Sequence, residues 1–203
     1  MVVPEERELL LQRAARALAR TYKHSGGRIS VVVERILRHP ALYARLDAPD
    51  MVKCPLVYVA GALRLAGIGV TIEDYSWLLD NMGQVPFDPP SVAGWDWGPA
   101  WLTSQSAKAG VSFANALLAW SDHPPLEVPK GSGDVTLAPD AQLERALDAL
   151  GRPWISEATR RALTDMATSY VANLKSWERD DRADMLQRAL RHLILSGPDA
   201  HLH

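Results

Sequence analysis

The chain has 203 residues, of which 47% are hydrophobic, and its formal net charge is −2. This length and composition suffice for a packed core, and the small net charge without long single-sign runs gives no electrostatic basis for nucleic-acid binding. The lone cysteine, Cys54, excludes an internal disulfide framework and any multi-cysteine metal site.

The hydropathy pattern predicts neither a signal peptide nor a membrane span. Residues 1–6 are acidic and do not form a basic segment followed by an apolar one. The longest apolar run, residues 55–70, is interrupted by Arg64 and is short for a span of ~20 residues. For the sequence as it stands, we expect a cytoplasmic location.

The first part of the chain predicts two helices. Apolar residues recur at helical spacing from Pro4 to about Tyr22, and Gly26-Gly27 follow as a stop signal. A second helix is expected over residues 29–38 and is broken by His39-Pro40. A short helical turn is expected over residues 41–45.

The next two helices are predicted around the apolar run. One helix begins at Pro55 and continues to Gly67; because it is apolar nearly all round, we expect it to be central and covered on most sides. Residues 71–74, Thr-Ile-Glu-Asp, resemble an N-terminal cap for a helix that ends near Met82.

A helix and then a linker are predicted in the middle of the chain. The helix covers residues 101–120, with an apolar stripe of Phe113, Leu117 and Trp120. Residues 121–138 are rich in Pro, Gly, Ser, Asp and Lys, which is typical of a linker or a surface crossing. Within it, residues 134–137 could form a brief extended piece.

Three helical patterns follow the linker. The first runs from Pro139 to Gly151, the second is capped by Ser156-Glu157, and the last stops at Gly197-Pro198. Residues 179–182 are predicted to be a charged, solvated turn, and residues 201–203 a frayed end.

These elements predict an all-α fold, a helical bundle with one long ordered loop rich in Pro, Gly and Trp. Residues 1–120 would form a helical domain that carries the loop. Residues 121–138 would be the linker, and residues 139–203 a three-helix segment packed on the first part.

The most unusual segment is residues 83–101, the tryptophan loop. It contains three of the seven tryptophans (Trp95, Trp97 and Trp101), four of the fourteen prolines and three glycines. Proline removes backbone donors and glycine adds chain entropy, so neither helix nor strand is favoured there. The segment is nevertheless too aromatic for an ordinary solvated loop, and we expect it to be ordered.

The residues of the loop are compatible with two interpretations. In the first, the three tryptophan rings stack on a sugar or polymer ligand while Asp88 and Asp96 accept hydrogen bonds from its hydroxyl groups; Gln84 completes this candidate ligand-binding set. In the second, the rings plug the loop into the bundle, which agrees with the general preference of large aromatic side chains for the interior.

Catalysis is a separate hypothesis for the same loop. Asp88 and Asp96 could form the acid/base pair of a glycoside hydrolase, which needs two carboxylates roughly 5–10 Å apart; their alternative role is turn formation. The six histidines show no metal-ligand spacing, and no glycine pattern forms a phosphate-binding loop. We therefore expect neither a metal site nor a cofactor.

Three blocks of the sequence carry a family resemblance. Residues 53–64 contain Lys-x-Pro and Gly-x-Leu-Arg patterns, residues 82–101 contain Pro-Pro-x-Val-x-Gly-Trp, and residues 188–196 are similar to a closing helix. The chain resembles the bacterial domain-of-unknown-function 1800 family, specifically the C-terminal half of its usual member. Val57 and Gly110 depart from that family, which usually places a carboxylate and an arginine there.

The resemblance implies an uncharacterised function and relatives that are often exported. A missing N-terminal half would leave an apolar face, which implies a protein partner or self-association. We expect a non-enzymatic binding or assembly module that uses the loop or an exposed helical face, with a polysaccharide as another candidate ligand. The alternative is a glycan-directed hydrolase that uses Asp88 and Asp96.

Overall fold

The structure, a computed structural model, describes residues 4–43, 49–67, 76–119, 128, 133–175 and 179–203. The chain divides into two compact units, residues 1–49 and residues 50–203. The predicted linker and the predicted cap at residues 71–74 lie almost wholly or wholly outside the described residues, as does the end of the predicted turn at residues 41–45. The predicted domain division therefore stays a prediction.

The first unit is a helical hairpin. Helix α1 covers Pro4–His24, α2 covers Ile29–Leu37, and a short 3-10 turn covers Pro40–Leu42. Gly26 and Gly27 adopt φ values of 67° and 83° between the helices, and the Gly27 N–H bonds the Tyr22 carbonyl at 3.0 Å. The predicted glycine stop is confirmed, because left-handed φ values there suit only residues without a Cβ.

The described residues of the second unit form six α-helices. They are α3 (Pro55–Leu65), α4 (Ser76–Asn81), α5 (Ser104–Ala119), α6 (Pro139–Ala149), α7 (Glu157–Ala172) and α8 (Arg179–Ser196). Short 3-10 turns cover Gly98–Trp101 and Pro198–His201. The described residues form no sheet, and one isolated antiparallel bridge joins Val52 to Leu202. The predicted all-α class is confirmed.

The core of the second unit lies where α5 and α8 pack together, with α6 and α7 against α8. Phe113, Leu117, Leu186 and Leu190 are fully buried there. Each such side chain contributes roughly 1.5–3 kcal/mol through removal of apolar area from water. The helices on both sides of the predicted linker therefore share one core.

Several predicted boundaries hold because their capping residues act as expected. Ser156 caps α7 by accepting a hydrogen bond from the Thr159 N–H at 3.2 Å. Gly151 follows α6 with a φ of 70°. Pro55 and Pro139 occupy the first turns of α3 and α6, where a missing N–H has no consequence.

Helix α3 is less covered than predicted. Tyr58, Val59, Ala62 and Leu63 are buried, but Leu56 and Val57 are about two-fifths exposed. A single face of the helix meets the core, so its apolar composition overstated its burial.

Three further local expectations are wrong. Helix α5 begins at Ser104 rather than residue 101, because the proline-containing segment Gly98–Trp101 forms a 3-10 turn. Residues 179–182 are not a separate turn but begin α8, since no glycine or proline interrupts the chain from 179 to 196. Residues 134–137 form a turn in which the Asp134 carboxylate accepts hydrogen bonds from the Thr136 N–H and hydroxyl.

Candidate functional site

The tryptophan loop starts with a glycine-based helix end. Gly83, with a φ of 85°, follows α4, and its N–H bonds the Asp80 carbonyl at 2.9 Å. The Gln84 N–H bonds the Leu79 carbonyl at 2.9 Å. These bonds satisfy carbonyl groups that the helix end would leave open, and they fix the direction in which the chain leaves α4.

Gln84 joins the loop to the first turn of α3. Its side chain is buried, and its Oε1 accepts a hydrogen bond from the Leu56 N–H at 2.9 Å. That N–H is one of the donors that a helix leaves unsatisfied at its N-terminus. A residue 28 positions away in sequence therefore caps α3, which no local pattern revealed.

The far end of the loop is fixed by a reciprocal cap at the start of α5. The Thr103 N–H bonds Ser106 Oγ at 3.0 Å, and the Ser106 N–H bonds Thr103 Oγ1 at 3.0 Å. Ser106 Oγ also donates to the Trp101 carbonyl. The Trp101 ring lies near Gly83, so the two ends of the loop meet. The loop is thus ordered at its base without regular secondary structure.

Two tight turns shape the outer part of the loop. The Asp88 N–H bonds the Val85 carbonyl at 3.1 Å, and the intervening Phe87 has a φ of 65°. In the second turn, the Gly94 N–H bonds the Ser91 carbonyl at 3.0 Å. A left-handed conformation is unfavourable for a bulky residue such as Phe87, and such strain is concentrated at functional sites.

The outer turns present large apolar side chains to solvent. Phe87 and Val92 are fully exposed, and the Trp97 side chain is 84% exposed. Trp95 and Trp101 are half-buried. The two interpretations of the loop therefore apply to different rings: Trp101 lies at the base of the loop, whereas Trp97 is displayed.

Both candidate catalytic residues are on the exposed part of the loop. Asp88 and Asp96 are solvent-exposed. The two aspartates place negative charges next to Phe87 and Trp97 in the sequence. No lysine, arginine or histidine occurs between residues 65 and 107.

A second cluster, which the sequence did not predict, involves the C-terminal residues. The His201 ring stacks on Tyr58 with ring centroids 4.3 Å apart, and Tyr58 meets Phe113 edge to face at 5.9 Å. The Tyr58 hydroxyl donates to the Leu195 carbonyl at 2.9 Å. Burial raises the pKa of Tyr58 well above its ordinary value.

The backbone of residues 201–203 is also fixed. The His203 N–H bonds the Met51 carbonyl at 2.9 Å, and the Lys53 N–H bonds the His201 carbonyl at 2.8 Å. The Lys53 ammonium donates to the Ala200 carbonyl at 2.9 Å. The prediction of a frayed end is wrong, because these residues pair with the segment that precedes α3. Residues 197–203, held in this way, are called the C-terminal clasp below.

Burial affects the titration of His201 in the clasp and of Lys53, which contacts the clasp. The pKa of His201 is lowered, first by burial and then by the positive charge of Lys53, and burial also lowers the pKa of Lys53. Gly110 leaves room for the stacked ring: a Cβ there would lie 3.2 Å from His201 Cε1. The glycine that departs from the family pattern is thus part of this cluster.

Neither a metal-ligand cluster nor a membrane-spanning helix occurs in the part of the chain that the structure describes. Over the described ranges, no three His, Cys, Asp or Glu side chains converge as metal ligands. None of the helices, as far as their residues are described, is both long and apolar enough to span a bilayer.

Comparison with known proteins gives one match. A family model described as "Protein of unknown function (DUF1800)" matches residues 10–202. The matched range includes the start of α3, the tryptophan loop and α8, which carry the resemblance in the sequence. No curated protein and no solved structure matches the chain.

Proposed function

The chain belongs to the DUF1800 family of proteins of unknown function, and we propose that it is a non-enzymatic binding or assembly module whose contact surface is the outer part of the tryptophan loop. The observation that carries this proposal is the exposure of Phe87, Val92 and Trp97 on a loop whose two ends are fixed by hydrogen bonds.

Order and exposure together support a binding role. An aromatic ring that stabilised the fold would be packed against the core, whereas Trp97 remains 84% exposed. Tryptophan and other aromatic residues dominate binding energy at interfaces, where they fill pockets on the partner. A loop already held in shape loses little conformational entropy when it binds.

The strain at Phe87 supports the same conclusion. A left-handed φ at a non-glycine residue costs about 1–3 kcal/mol. The side chain that incurs this strain makes no packing contribution, because it is fully exposed. A benefit outside the folding of the single chain, such as contact with a partner, would account for an aromatic residue at this position.

Fluorescence quenching tests the proposal directly. The difference between wild type and Trp97→Phe isolates the emission of Trp97, which acrylamide should quench freely at low protein concentration. Quenching is then repeated with four probes: a soluble neutral glucan, an acidic polysaccharide, a peptide rich in lysine and arginine, and the protein itself at higher concentration.

We expect at least one probe to protect Trp97, and Phe87→Ala to weaken that protection. Trp154 is also exposed but lies outside the loop, so Trp154→Phe serves as the matched control and should leave the protection unchanged. If none of the four probes protects Trp97, the proposal is overturned.

A further inference from the structure

A second apolar surface lies in the first unit, between α1 and α2. A cavity of about 650 Å³ opens there, with walls that include Leu10, Leu18, Ile36 and Leu42. Its volume lies within the range of ligand pockets, roughly 300–1,000 Å³. This cavity and the residues that line it, which also include Arg13 and Arg35, are called the hairpin groove below.

The groove lacks apolar cover in the hairpin itself. None of the described side chains of the first unit is buried, and the groove residues Leu10, Leu11 and Leu42 are about half exposed. Most helical stability in proteins comes from packing of an amphipathic face, which a pair of helices with an open groove does not complete. The hairpin therefore needs an apolar occupant.

The charge of the hairpin restricts that occupant. Residues 1–49 contain nine lysines and arginines and five acidic residues, which gives a net charge of +4. Arg13 and Arg35 lie among the groove residues, and the Arg35 guanidinium donates to Thr21 Oγ1 at 2.9 Å. An apolar occupant that carries carboxylates would complement this surface.

The tryptophan loop has that chemistry. It displays Phe87, Val92 and Trp97 beside Asp88 and Asp96. The surrounding residues 65–107 contain five acidic residues and no basic one, and residues 50–203 as a whole have a net charge of −6. The chain thus contains both an acidic apolar loop and a basic apolar groove.

We propose that the occupant of the hairpin groove is the tryptophan loop of a second copy of this chain. The exposed rings of the loop would enter the groove, and Asp88 and Asp96 would lie near Arg13 and Arg35. The inference rests on the proposed function, because it takes the loop to be a contact surface, and it adds the identity of the partner. Different surfaces meet in this contact, so it is heterologous and closes a ring or extends into a chain of copies.

Assembly mass measured against concentration gives the first test. Sedimentation velocity of the full chain should show species larger than a monomer that grow with protein concentration. Because part of the attraction is electrostatic, raising the salt concentration should weaken assembly.

Two one-sided variants make the test specific. The loop variant combines Asp88→Arg with Trp97→Ala, and the groove variant combines Arg13→Glu with Arg35→Glu. Each variant alone should be monomeric, with association weakened about tenfold or more. Mixed together, they should form a one-to-one complex, because the groove variant still has its loop and the loop variant still has its groove.

The charge control is Arg64→Glu with Arg188→Glu, two exposed positions outside both surfaces, and it should assemble like wild type. Circular dichroism checks that each variant is folded. A mass that stays monomeric at all concentrations overturns the inference, and so does a mixture that fails to form the complex when both variants are folded. In either case, protection of Trp97 by another probe would leave the proposed function intact.

Discussion

The tryptophan loop and the C-terminal clasp are both short, irregular segments of the second unit, and they place their aromatic side chains in opposite ways. The loop is the more aromatic of the two, yet Trp97 projects into solvent. The clasp contains two imidazole rings, and the ring of His201 stacks on the buried Tyr58. Composition therefore does not decide whether a ring stabilises the fold. The availability of a packing partner decides it.

The comparison leads to a general expectation. Changes in the clasp should lower the stability of the fold, whereas changes on the outer loop should leave stability nearly constant and alter binding.

Tyr58→Ala should destabilise the second unit most. The substitution removes a buried ring that contacts both Phe113 and His201, and the loss of a large buried aromatic side chain costs about 3–5 kcal/mol. Tyr58→Phe keeps the ring and loses the hydrogen bonds of the hydroxyl to the Leu195 and Gly110 carbonyls, at about 1 kcal/mol. Urea unfolding measures both. A cost below 1 kcal/mol for the alanine variant would show that the clasp does not stabilise the fold.

Gly110→Leu should destabilise the protein by about 1–3 kcal/mol, because the new side chain would collide with the stacked His201 ring. Gly61→Ala is the matched helical glycine, with no atom within 4 Å of its added Cβ. It should stabilise α3 by about 0.5–1 kcal/mol through helix propensity. If Gly110→Leu raises the thermal midpoint as Gly61→Ala is expected to do, Gly110 does not make room for the clasp.

The clasp should weaken in acid. The folded protein lowers the pKa of His201, so the unfolded chain takes up a proton near its ordinary value of 6.5 more readily than the folded chain does. This contribution is fully present above pH 6.5 and declines as the pH falls below it. His201→Phe keeps an aromatic ring and removes the titration. Between pH 7.5 and 5.5, wild type should lose more unfolding free energy than the variant; equal losses would contradict the prediction.

Phe87→Gly should stabilise the fold slightly, by about 0.5–1 kcal/mol, because glycine adopts the left-handed φ without strain. Val92 is equally exposed and does not have a left-handed φ, so Val92→Gly should not stabilise. Chemical denaturation compares the two. A marked loss of stability for Phe87→Gly would place this ring among the packed residues and remove one support for the binding surface.

Trp97→Ala should change stability by no more than about 0.5 kcal/mol, as for most exposed positions. Trp101→Ala, at the half-buried base of the same loop, should cost about 1–3 kcal/mol, less than the removal of a fully buried ring. The difference between the two losses of unfolding free energy shows whether the base of the loop, at Trp101, contributes to stability while the exposed Trp97 does not. Similar costs would mean that the loop acts as a single brace.

The all-α class and the glycine and proline boundaries of most helices could be predicted from the sequence alone. These features follow from local rules: helical periodicity, proline at a first turn and glycine at a left-handed φ, as at Gly27 and Gly151. The family signature was readable for the same reason, since it is a continuous string of residues.

Which apolar residues are covered depends on the tertiary structure. Gln84 caps a helix that begins 29 positions earlier in the sequence, and His201 stacks on Tyr58, 143 positions away. Leu56 and Val57 are apolar like core residues but lie on the exposed face of α3. Such contacts depend on how distant segments meet in space, and local propensity carries no information about that meeting.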